Sequence, residues 1–556
     1  MRGALTRTMD MEWGLRQVPP EINESYVNAG WWRDDTVGQM LAGAIRNRPE
    51  LTVKIRSSVR PWTGTFADVL DASRRVAGSL RARGIGAGDV IAFQLPNWVE
   101  AAVTFWAAAL VGATVTPIVH FYGPKEVAYI LRRTSVRALV TADRFGRQDY
   151  LAPLEEIRQR TPALELVAVV GESRIPPWAE SFERLLGDKP FTEPAQADPS
   201  SPALIAYTSG TTSDPKGVVH SHRTIGFEIR QLAAMQAGNP PLLVGAPVGH
   251  AIGMLSGLLL PVWKGEPINL IDTWDPAAVL AGMLEDHLAA GSGATYFLTS
   301  LLDHPDCTEA HLKLMSRIGL GGSPVPSAVT ERMARLGISA IRSYGSTEHP
   351  STTGARHEEP EAKRHHTDGR PLLGVELRLV DEDGHEVPAG DRGEIWSRGP
   401  DCCIGYTEPS LTRASFDSKG WFATGDIGVL DAEGYLTIVD RKKDIIIRGG
   451  ENISALEVEE MLLRIPGVAE AAVVAVPDER LGERACAFVR LAEPSADLTL
   501  DSVRAQLQRA GLARQKWPEA LRVVPDLPRT PSGKVKKYVL RQQLASEQAH
   551  PEHQTR

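Results

Sequence analysis

The segment between Tyr207 and Gly217 reads YTSGTTSDPKG and holds the densest group of residues that could bind phosphate. Its glycines leave backbone N–H groups accessible, its hydroxyls donate hydrogen bonds, and Lys216 adds a positive charge, which together suit phosphate oxygens. The segment is not a Walker A motif, because Pro215 precedes the lysine and Gly217 follows it. By composition alone, a flexible surface turn rich in Ser and Thr is favoured over a phosphate loop.

Four further segments change this balance. They read SYGSTE at 343–348, FATGD at 422–426, DRKKD at 440–444 followed by GGENI at 449–453, and PRTPSGK at 528–534. With the loop at 207–217, they resemble in order the motifs of the adenylate-forming superfamily, which includes acyl- and aryl-CoA synthetases, luciferases and nonribosomal adenylation domains. One departure is Ser213, where the family usually has glycine.

The resemblance implies a site for ATP. Tyr344 would stack on the adenine ring, Thr347 would donate to the α-phosphate, and Asp426 with Arg441 would bind the ribose hydroxyls. The glycine-containing segment at 321–324 would let the backbone approach the purine closely. The nucleotide-binding residues implied are Thr208, Ser209, Gly210, Thr211, Thr212, Lys216, Gly322, Ser323, Pro324, Ser343, Tyr344, Gly345, Ser346, Thr347, Asp426, Ile438, Arg441 and Lys534.

A carboxylate also falls among the phosphate-binding residues. Glu348 would repel phosphate unless a cation lay between them, so we interpret it as a ligand of Mg²⁺, with Thr208 as a second ligand that the resemblance implies. A plain surface carboxylate is the alternative for Glu348.

The resemblance assigns roles in catalysis and in a change of conformation. Lys534 would bridge the attacking carboxylate and the phosphate, with Lys216, Thr347 and Glu348 also catalytic. His250 would gate the passage between the acyl pocket and the thiol channel, although a lone histidine is more often structural. Lys443 would be the hinge of a rotating C-terminal domain. The residues assigned to coenzyme A are Gly449, Gly450 and Asn452.

Lys534 is followed in the sequence by other basic residues, to which the resemblance assigns no catalytic role. We interpret Lys536, Lys537 and Arg541 as a solvated basic face.

Short apolar strand patterns alternate with helical patterns through the first 270 residues, as at Val90–Leu95, Phe66–Gly84 and Leu166–Val170. Such alternation predicts an α/β fold of layers around a largely parallel sheet. From about Leu372, short strands separated by the turns DEDG and DAEG predict a small antiparallel β unit.

The charged segment at 440–444 divides the chain. We predict a large N-terminal domain of layered α/β subdomains plus the small β unit over 1–440, a hinge over 441–444, and a smaller mobile α+β domain over 445–556. Ser454 and Glu457 form the sequence of a capping box, which predicts a helix start in the C-terminal domain.

Composition excludes several classes of protein. Of the 556 residues, 61 are Lys or Arg and 69 are Asp or Glu, for a net charge of −8. A dedicated nucleic-acid binder would have a basic surplus. The four cysteines form neither a CxxC pair nor a Cys/His cluster. We therefore expect no disulfide framework and no zinc site, and we expect the protein to lie in the reducing cytoplasm.

The apolar stretch from Ala101 to Val119 is long enough to cross a bilayer, but it contains Gly112 and Pro117. We interpret it as a buried helix that ends near Gly112, followed by a buried strand. No transmembrane segment is therefore expected, peripheral membrane contact stays open, and the chain could be a monomer or a homodimer.

The function that the resemblance implies is an ATP-dependent acyl-CoA synthetase of the fatty-acid–CoA ligase branch, with a carboxylic acid, ATP and coenzyme A as substrates. Trp31 to Thr36 resembles ligases for cyclohexanecarboxylate or medium-chain acids, and the absence of a carboxylate from Pro247 to Gly253 argues against an α-amino acid. The alternatives are an enzyme that loads a carrier protein, a luciferase-like oxygenase, or a non-catalytic nucleotide or acyl-CoA binding protein. The acyl pocket is expected around Phe227, His250, Tyr296 and Gly319–Gly322.

Overall fold

The structure is a computed structural model that describes residues 13–208, 215–448, 451–478, 480–493, 498–530 and 533–549. Its largest sheet has eight strands among these residues, and the central strands are parallel. Two antiparallel strands extend one edge. In spatial order the strands are Gly405–Tyr406, Lys216–Ser221, Pro202–Thr208, Thr114–Ile118, Val90–Gln94, Ala138–Ala142, Leu166–Val170 and Glu180–Ser181.

The apolar stretch at 101–119 is inside this domain, as predicted. Helix Val99–Leu110 has every residue buried and is followed by the buried strand Thr114–Ile118. Trp106 is fully buried, and its indole N–H donates to the Leu258 carbonyl at 3.2 Å. Burial on all sides explains why this helix is apolar around its whole circumference. No described helix has the length and apolar character needed to span a bilayer.

Two four-stranded sheets pack beside the large one. The first contains Leu243–Val244, Ile268–Ile271, Thr52–Arg56 and Trp62–Thr65. The second contains Arg317–Leu320, Ser339–Tyr344, Thr353–Gly354 and Arg370–Pro371. A separate two-stranded hairpin joins Arg144–Phe145 to Gln148–Asp149.

The small β unit is antiparallel throughout, as the turns predicted. Its strands are Glu376–Val380, Arg392–Arg398, Phe422–Leu430 and Leu436–Arg441. The first of them begins four residues later than the apolar pattern from Leu372 suggested.

The C-terminal unit is α+β. Its sheet contains Glu451–Ile453, Ile446–Arg448, Gly482–Leu491 and Val468–Asp478, and Ala520–Val523 pairs with Gly482–Leu491. Ser454 caps helix Ala455–Leu463 by accepting the Glu457 N–H at 3.0 Å. The reciprocal arm of the predicted capping box does not form, because the Glu457 carboxylate pairs with Lys516.

Helices cover the sheets and connect their strands. The α-helices are Pro20–Asn28, Val37–Asn47, Phe66–Ala82, Val99–Leu110, Pro124–Arg133, Leu151–Gln159, Phe182–Leu185, His222–Met235, Ala251–Met254, Leu260–Lys264, Pro276–Asp286, Thr295–Leu302, Glu309–Leu314, Ser327–Arg335, Glu361–His366, Pro409–Ser415, Ala455–Leu463, Leu500–Arg509 and Lys537–Ala549. A π-helical turn spans Leu255–Leu259, and a 3₁₀ turn spans Arg514–Lys516.

Candidate active site

The two strands that flank the predicted phosphate loop form one edge of the site. Pro202–Thr208 and Lys216–Ser221 are antiparallel, and their register places Thr208 opposite Lys216. Ser209, Gly210, Thr211 and Thr212 lie outside the described residues, so their predicted contacts with phosphate stay predictions. The strand pair therefore holds Thr208 and Lys216, which flank the predicted phosphate loop, next to each other.

The segment SYGSTE begins at the end of strand Ser339–Tyr344. Gly345 packs so closely on the following chain that an added Cβ would lie 1.8 Å from the Pro350 carbonyl oxygen. The Ser346 N–H donates to the His349 carbonyl at 2.9 Å, and the Ser346 hydroxyl accepts the His349 N–H at 3.2 Å. These contacts fix the turn that presents Thr347 and Glu348.

Asp426 is the centre of a hydrogen-bonded group at the side of the cleft. Its Oδ2 accepts the Tyr344 hydroxyl at 2.7 Å, and its Oδ1 pairs with Nε of Arg441 at 3.0 Å. Asp426 and Arg441 face each other across two antiparallel strands. Burial and the Asp426 charge raise the pKa of Tyr344 well above its usual value. A carboxylate has about four acceptor positions, so that Asp426 keeps capacity for further donors such as ribose hydroxyls.

Three contacts fix Thr347 and Glu348 from behind. Nε2 of His220 lies 2.7 Å from the Thr347 carbonyl, which can only accept, so His220 is the donor. The Cys403 N–H donates to the Glu348 carbonyl at 2.7 Å. The Tyr406 hydroxyl donates to Oε1 of Glu348 at 2.8 Å. The hydrogen bond from the Tyr406 hydroxyl therefore orients the Glu348 carboxylate.

The predicted purine segment lies next to this turn. Gly322 has a φ of +75°, which favours glycine, and Gly322 and Pro324 are exposed while Ser323 is half-buried. An added Cβ on Gly321 would lie 2.6 Å from the Ser343 hydroxyl. Ser343 itself donates to the Leu320 carbonyl at 3.3 Å. The backbone at 321–324 is thus packed against the strand that ends at Tyr344.

Ile438 is tied to the same strand through a buried ion pair. Oδ1 of Asp368 accepts from Nε and Nη2 of Arg342, at 3.0 and 2.8 Å, and Oδ2 accepts the Ile438 N–H at 2.9 Å. Both charged side chains are less than a tenth exposed. The pair connects the strand that carries Tyr344 to the strand that carries Arg441.

Lys534 belongs to the C-terminal unit and lies near Glu348, Asp426 and Arg441. The space between these four residues is called the cleft below. The charges of Arg441, Asp426, Glu348 and Lys443 all act on its ammonium. The cleft is open, and more than a third of the Lys534 surface is accessible. Nevertheless, the protein atoms around the ammonium displace much of its water, and with the Arg441 charge they lower the Lys534 pKa to about 8.

His250 lies close enough to Lys534 to be affected by its charge. Its Nδ1 is buried and has no hydrogen-bond partner, and burial together with the Lys534 charge lowers its pKa to about 4. His250 is therefore neutral near pH 7. It shares the cleft, while its predicted role as a gate stays a prediction.

In the predicted hinge, Arg441, Lys442 and Lys443 are exposed and Asp444 is half-buried. The Lys442 N–H donates to the Gly425 carbonyl at 2.9 Å, and the Asp444 N–H donates to the Arg441 carbonyl at 2.8 Å. Burial and the Arg441 charge lower the pKa of Lys443. Asn452 is exposed on strand Glu451–Ile453, and Gly449 and Gly450 lie outside the described residues.

Family models match most of the chain. The model described as AMP-binding enzyme matches residues 44–407, and the model described as AMP-binding enzyme C-terminal domain matches residues 457–534. The chain belongs to the AMP-binding enzyme family.

Curated relatives match this AMP-binding enzyme over almost all of its length. A medium-chain fatty-acid–CoA ligase of Escherichia coli (strain K12) is 33% identical over 94% of this chain and 92% of its own. The 3-[(3aS,4S,7aS)-7a-methyl-1,5-dioxo-octahydro-1H-inden-4-yl]propanoyl:CoA ligase of Rhodococcus jostii (strain RHA1) is 35% identical over 91% of this chain and 98% of its own. The predicted superfamily and its acyl-CoA ligase branch are confirmed.

A solved structure was matched in two states. ATP-bound MatB from Rhodopseudomonas palustris is 27% identical, covers 92% of this chain and 99% of its own, and has a TM-score of 0.81. Apo MatB, with the same identity and coverage, has a TM-score of 0.72. The predicted α/β fold with a smaller C-terminal domain is confirmed.

The basic residues after Lys534 correct one sequence interpretation. Lys537 and Arg541 of the AMP-binding enzyme are not a solvated face. Nζ of Lys537 pairs with Glu459 at 2.8 Å, and Nη2 of Arg541 pairs with Asp444 at 2.5 Å. The Glu459 and Asp444 charges raise the Lys537 pKa against the opposing effect of burial. These residues connect helix Lys537–Ala549 to helix Ala455–Leu463 and to the end of the predicted hinge.

His220 and Tyr406 lie outside the predicted motifs, yet both contact the site. Both follow short apolar strand patterns next to glycines, at Gly217–Val219 and Gly405, and their polar atoms face the SYGSTE turn. Their only signal in the sequence is a polar side chain at a position where the strand is buried on both faces.

Proposed function

We propose that the protein converts a carboxylic acid into its coenzyme A thioester in two steps. In the first step a carboxylate oxygen of the acid attacks the α-phosphorus of ATP in line, and pyrophosphate leaves. In the second step the coenzyme A sulfur attacks the carbonyl carbon of the acyl-adenylate, its proton is lost, and AMP leaves. The family membership and the relatives' activities support this AMP-forming acid–CoA ligase.

The observation that carries the proposal is the position of Lys534 in the cleft that contains Glu348, Asp426 and Arg441. A cation and a ribose-binding carboxylate on opposite units can grip one nucleotide only when the two units close over it. Positioning and charge neutralisation are the main sources of catalysis in phosphoryl and nucleotidyl transfer.

We assign the roles within the first step as follows. Asp426 and Arg441 bind the ribose, with Tyr344 beside them for the adenine. Lys216 and Lys534 neutralise the phosphate oxygens and the attacking carboxylate, and Thr347 donates to the α-phosphate. The residues of the phosphate loop at 209–212 complete this set by their sequence.

We assign Glu348 to Mg²⁺. The donors at this position are oxygen atoms, which Mg²⁺ prefers, and the hydrogen bond from Tyr406 orients the carboxylate. Thr208 lies at the end of strand Pro202–Thr208, opposite Lys216. When bound, the cation neutralises charge on the phosphate oxygens. Glu348 would hold it, and Tyr406 would keep Glu348 in place.

We propose that the units move relative to one another about 441–444. The hydrophobic clusters of the described residues support the boundary, because those of 446–544 contain no residue from before 441. In the second step Lys534 would turn away, and Gly449, Gly450 and Asn452 would line the path of the thiol.

The comparison with MatB supports a domain arrangement suited to adenylation, the first step. The same protein gives the higher TM-score in its ATP-bound form, 0.81 against 0.72, at equal coverage. The domain arrangement of this chain therefore resembles the arrangement of a nucleotide-bound relative.

We propose an apolar monocarboxylic acid as the substrate and leave its size open. The segment from Pro247 to Gly253 offers no carboxylate to pair with an amine. The relatives are named for a medium-chain fatty acid and for a bulky ring-containing propanoate. Apolar pockets distinguish single methylenes only about 10- to 200-fold, so a relative's substrate transfers poorly. All four cysteines are free, which fits the cytoplasmic location we propose.

The test is a panel of straight-chain, alicyclic and aromatic acids incubated with the protein, ATP, Mg²⁺ and coenzyme A. AMP and an acyl-CoA in equal amounts are expected with at least one acid. AMP without thioester, formed when water hydrolyses the acyl-adenylate back to the acid, would support the carrier-protein alternative, which a carrier protein with a phosphopantetheine arm would then test. Neither product with any acid, together with retained nucleotide binding, would favour a non-catalytic binding protein.

A further inference from the structure

Arg529 pairs with Val535 in a hairpin that carries Lys534, and this hairpin contacts an exposed aromatic residue of the N-terminal unit. Tyr296 belongs to helix Thr295–Leu302 and is 40% exposed. A Cβ added to Gly533 would lie 3.2 Å from the Tyr296 Cβ and 3.5 Å from the Ala294 Cβ. Gly533 also has a φ of +84°, which disfavours any larger residue. The residue just before Lys534 is thus in close contact with Tyr296.

Arg529 fastens the base of the hairpin to the same ring. Its guanidinium carbon lies 5.9 Å from the centre of the Tyr296 ring, within the range of a cation–π contact. Nη1 of Arg529 donates to the Gly533 carbonyl at 3.3 Å, and its Nη2 forms an ion pair with Glu470. Tyr296 therefore contacts both Arg529 and Gly533.

Hydrogen bonds connect Thr530 to Gly533 and Lys534 within this hairpin. The Thr530 N–H donates to the Lys534 carbonyl at 2.7 Å, and the Thr530 hydroxyl accepts the Lys534 N–H at 3.0 Å. The Gly533 N–H donates to the Thr530 carbonyl at 2.8 Å. Movement of Gly533 would therefore move the Lys534 backbone with it.

We propose that Tyr296 is the positioning residue that docks the Lys534 hairpin for the adenylation step. This inference rests on the proposed function and extends it. In this role Tyr296 acts through Lys534, by its contacts with Gly533 and Arg529. Because a displacement of about 1 Å at a reacting group can reduce a rate about 100-fold, a missing ring under Gly533 is enough to slow adenylation. In the second step Lys534 has turned away, so the contact has no role there.

The test compares Tyr296→Ala with Tyr296→Phe, which keeps the ring. ATP–pyrophosphate exchange measures the first step, and thioester formation from a supplied acyl-adenylate and coenzyme A measures the second. Tyr296→Ala is expected to lower the kcat of exchange about 10-fold or more and to leave thioester formation within about 2-fold, while Tyr296→Phe restores exchange. Leu284→Ala, at another exposed apolar residue, is the matched control and should change neither rate.

A second experiment tests whether Tyr296 acts through Lys534. In a Lys534→Ala background, Tyr296→Ala is expected to cause no further loss of the residual exchange, because the residue it positions is already absent. Equal losses in both half-reactions, or an additive loss in that background, would overturn the inference. A raised KM for the acid with unchanged kcat would also overturn it, because it would make Tyr296 a wall of the acyl pocket.

The failure of this inference differs from the failure of the proposed function. If the wild-type protein shows no exchange with any acid, the proposed function is wrong. If the wild-type protein exchanges and Tyr296→Ala exchanges equally well, only the docking role is wrong.

Discussion

The Tyr406 hydroxyl donates a hydrogen bond of 2.8 Å to the Glu348 carboxylate. Tyr406 is 3% exposed, and its strand lies at the edge of the large sheet, next to the strand that begins with Lys216. The carboxylate that we assign to Mg²⁺ is thus fixed by a residue outside the predicted motifs. Hydrogen-bonded partners of a metal ligand commonly change metal affinity about 10- to 100-fold when removed.

We therefore predict that Tyr406→Phe raises the Mg²⁺ concentration for half-maximal ATP–pyrophosphate exchange about 10-fold. The ring and its packing remain, so the folded state should persist by circular dichroism. Tyr150→Phe is the matched control, because the Tyr150 hydroxyl is buried without a hydrogen-bond partner. An unchanged Mg²⁺ dependence in Tyr406→Phe would contradict the orienting role.

The adenylation rate should depend on the charge of Lys534. With a pKa of about 8, the ammonium is protonated below that pH and loses its charge as the pH rises through it. We predict that kcat/KM for ATP in the exchange reaction falls above about pH 8, since this parameter reports the free enzyme. His250, with a pKa of about 4, contributes no step between pH 6 and 8.

Lys534→Arg provides the control for this pH profile. An arginine keeps its charge over the whole range, so the fall near pH 8 should move out of it, even if the absolute rate is lower. A fall at the same pH in Lys534→Arg would assign the titration to another group.

The buried pair of Arg342 and Asp368 should be important for stability. Its loss would leave a buried guanidinium without its partner and would remove the acceptor of the Ile438 N–H. Asp368→Ala is predicted to lower the free energy of unfolding by about 3 to 5 kcal/mol. Denaturant unfolding of this variant beside Asp431→Ala, which breaks a more exposed pair with Lys363, would show the difference. Equal effects of the two substitutions would contradict the prediction.

Local sequence predicted the parts of the fold that local chemistry determines. The apolar stretch near Trp106 was predicted as a helix followed by a strand because Gly112 interrupts it, and the structure has a helix to Leu110 and a strand from Thr114. The turns of the small β unit were predicted from their Asp and Gly residues for the same reason.

Tertiary contacts decided the rest. Lys537 was predicted to be solvated because its neighbours in sequence are basic, but its partner Glu459 lies on another helix that the sequence pattern does not connect to it. Glu457 was expected to complete a capping box, yet Lys516 competes for its carboxylate. His220 and Tyr406 were missed because their partners, Thr347 and Glu348, are 127 and 58 residues away along the chain.

The most direct test of the account is to measure both half-reactions of Lys534→Ala with the best acid from the panel. We predict that ATP–pyrophosphate exchange falls at least about 100-fold, because the cation to which we assign neutralisation of the reacting groups is gone. Thioester formation from a supplied acyl-adenylate should stay within about 3-fold of the wild type, since we propose that Lys534 turns away in that step. Equal loss of both half-reactions, or unchanged exchange, would contradict the central claim that this lysine closes the adenylation site.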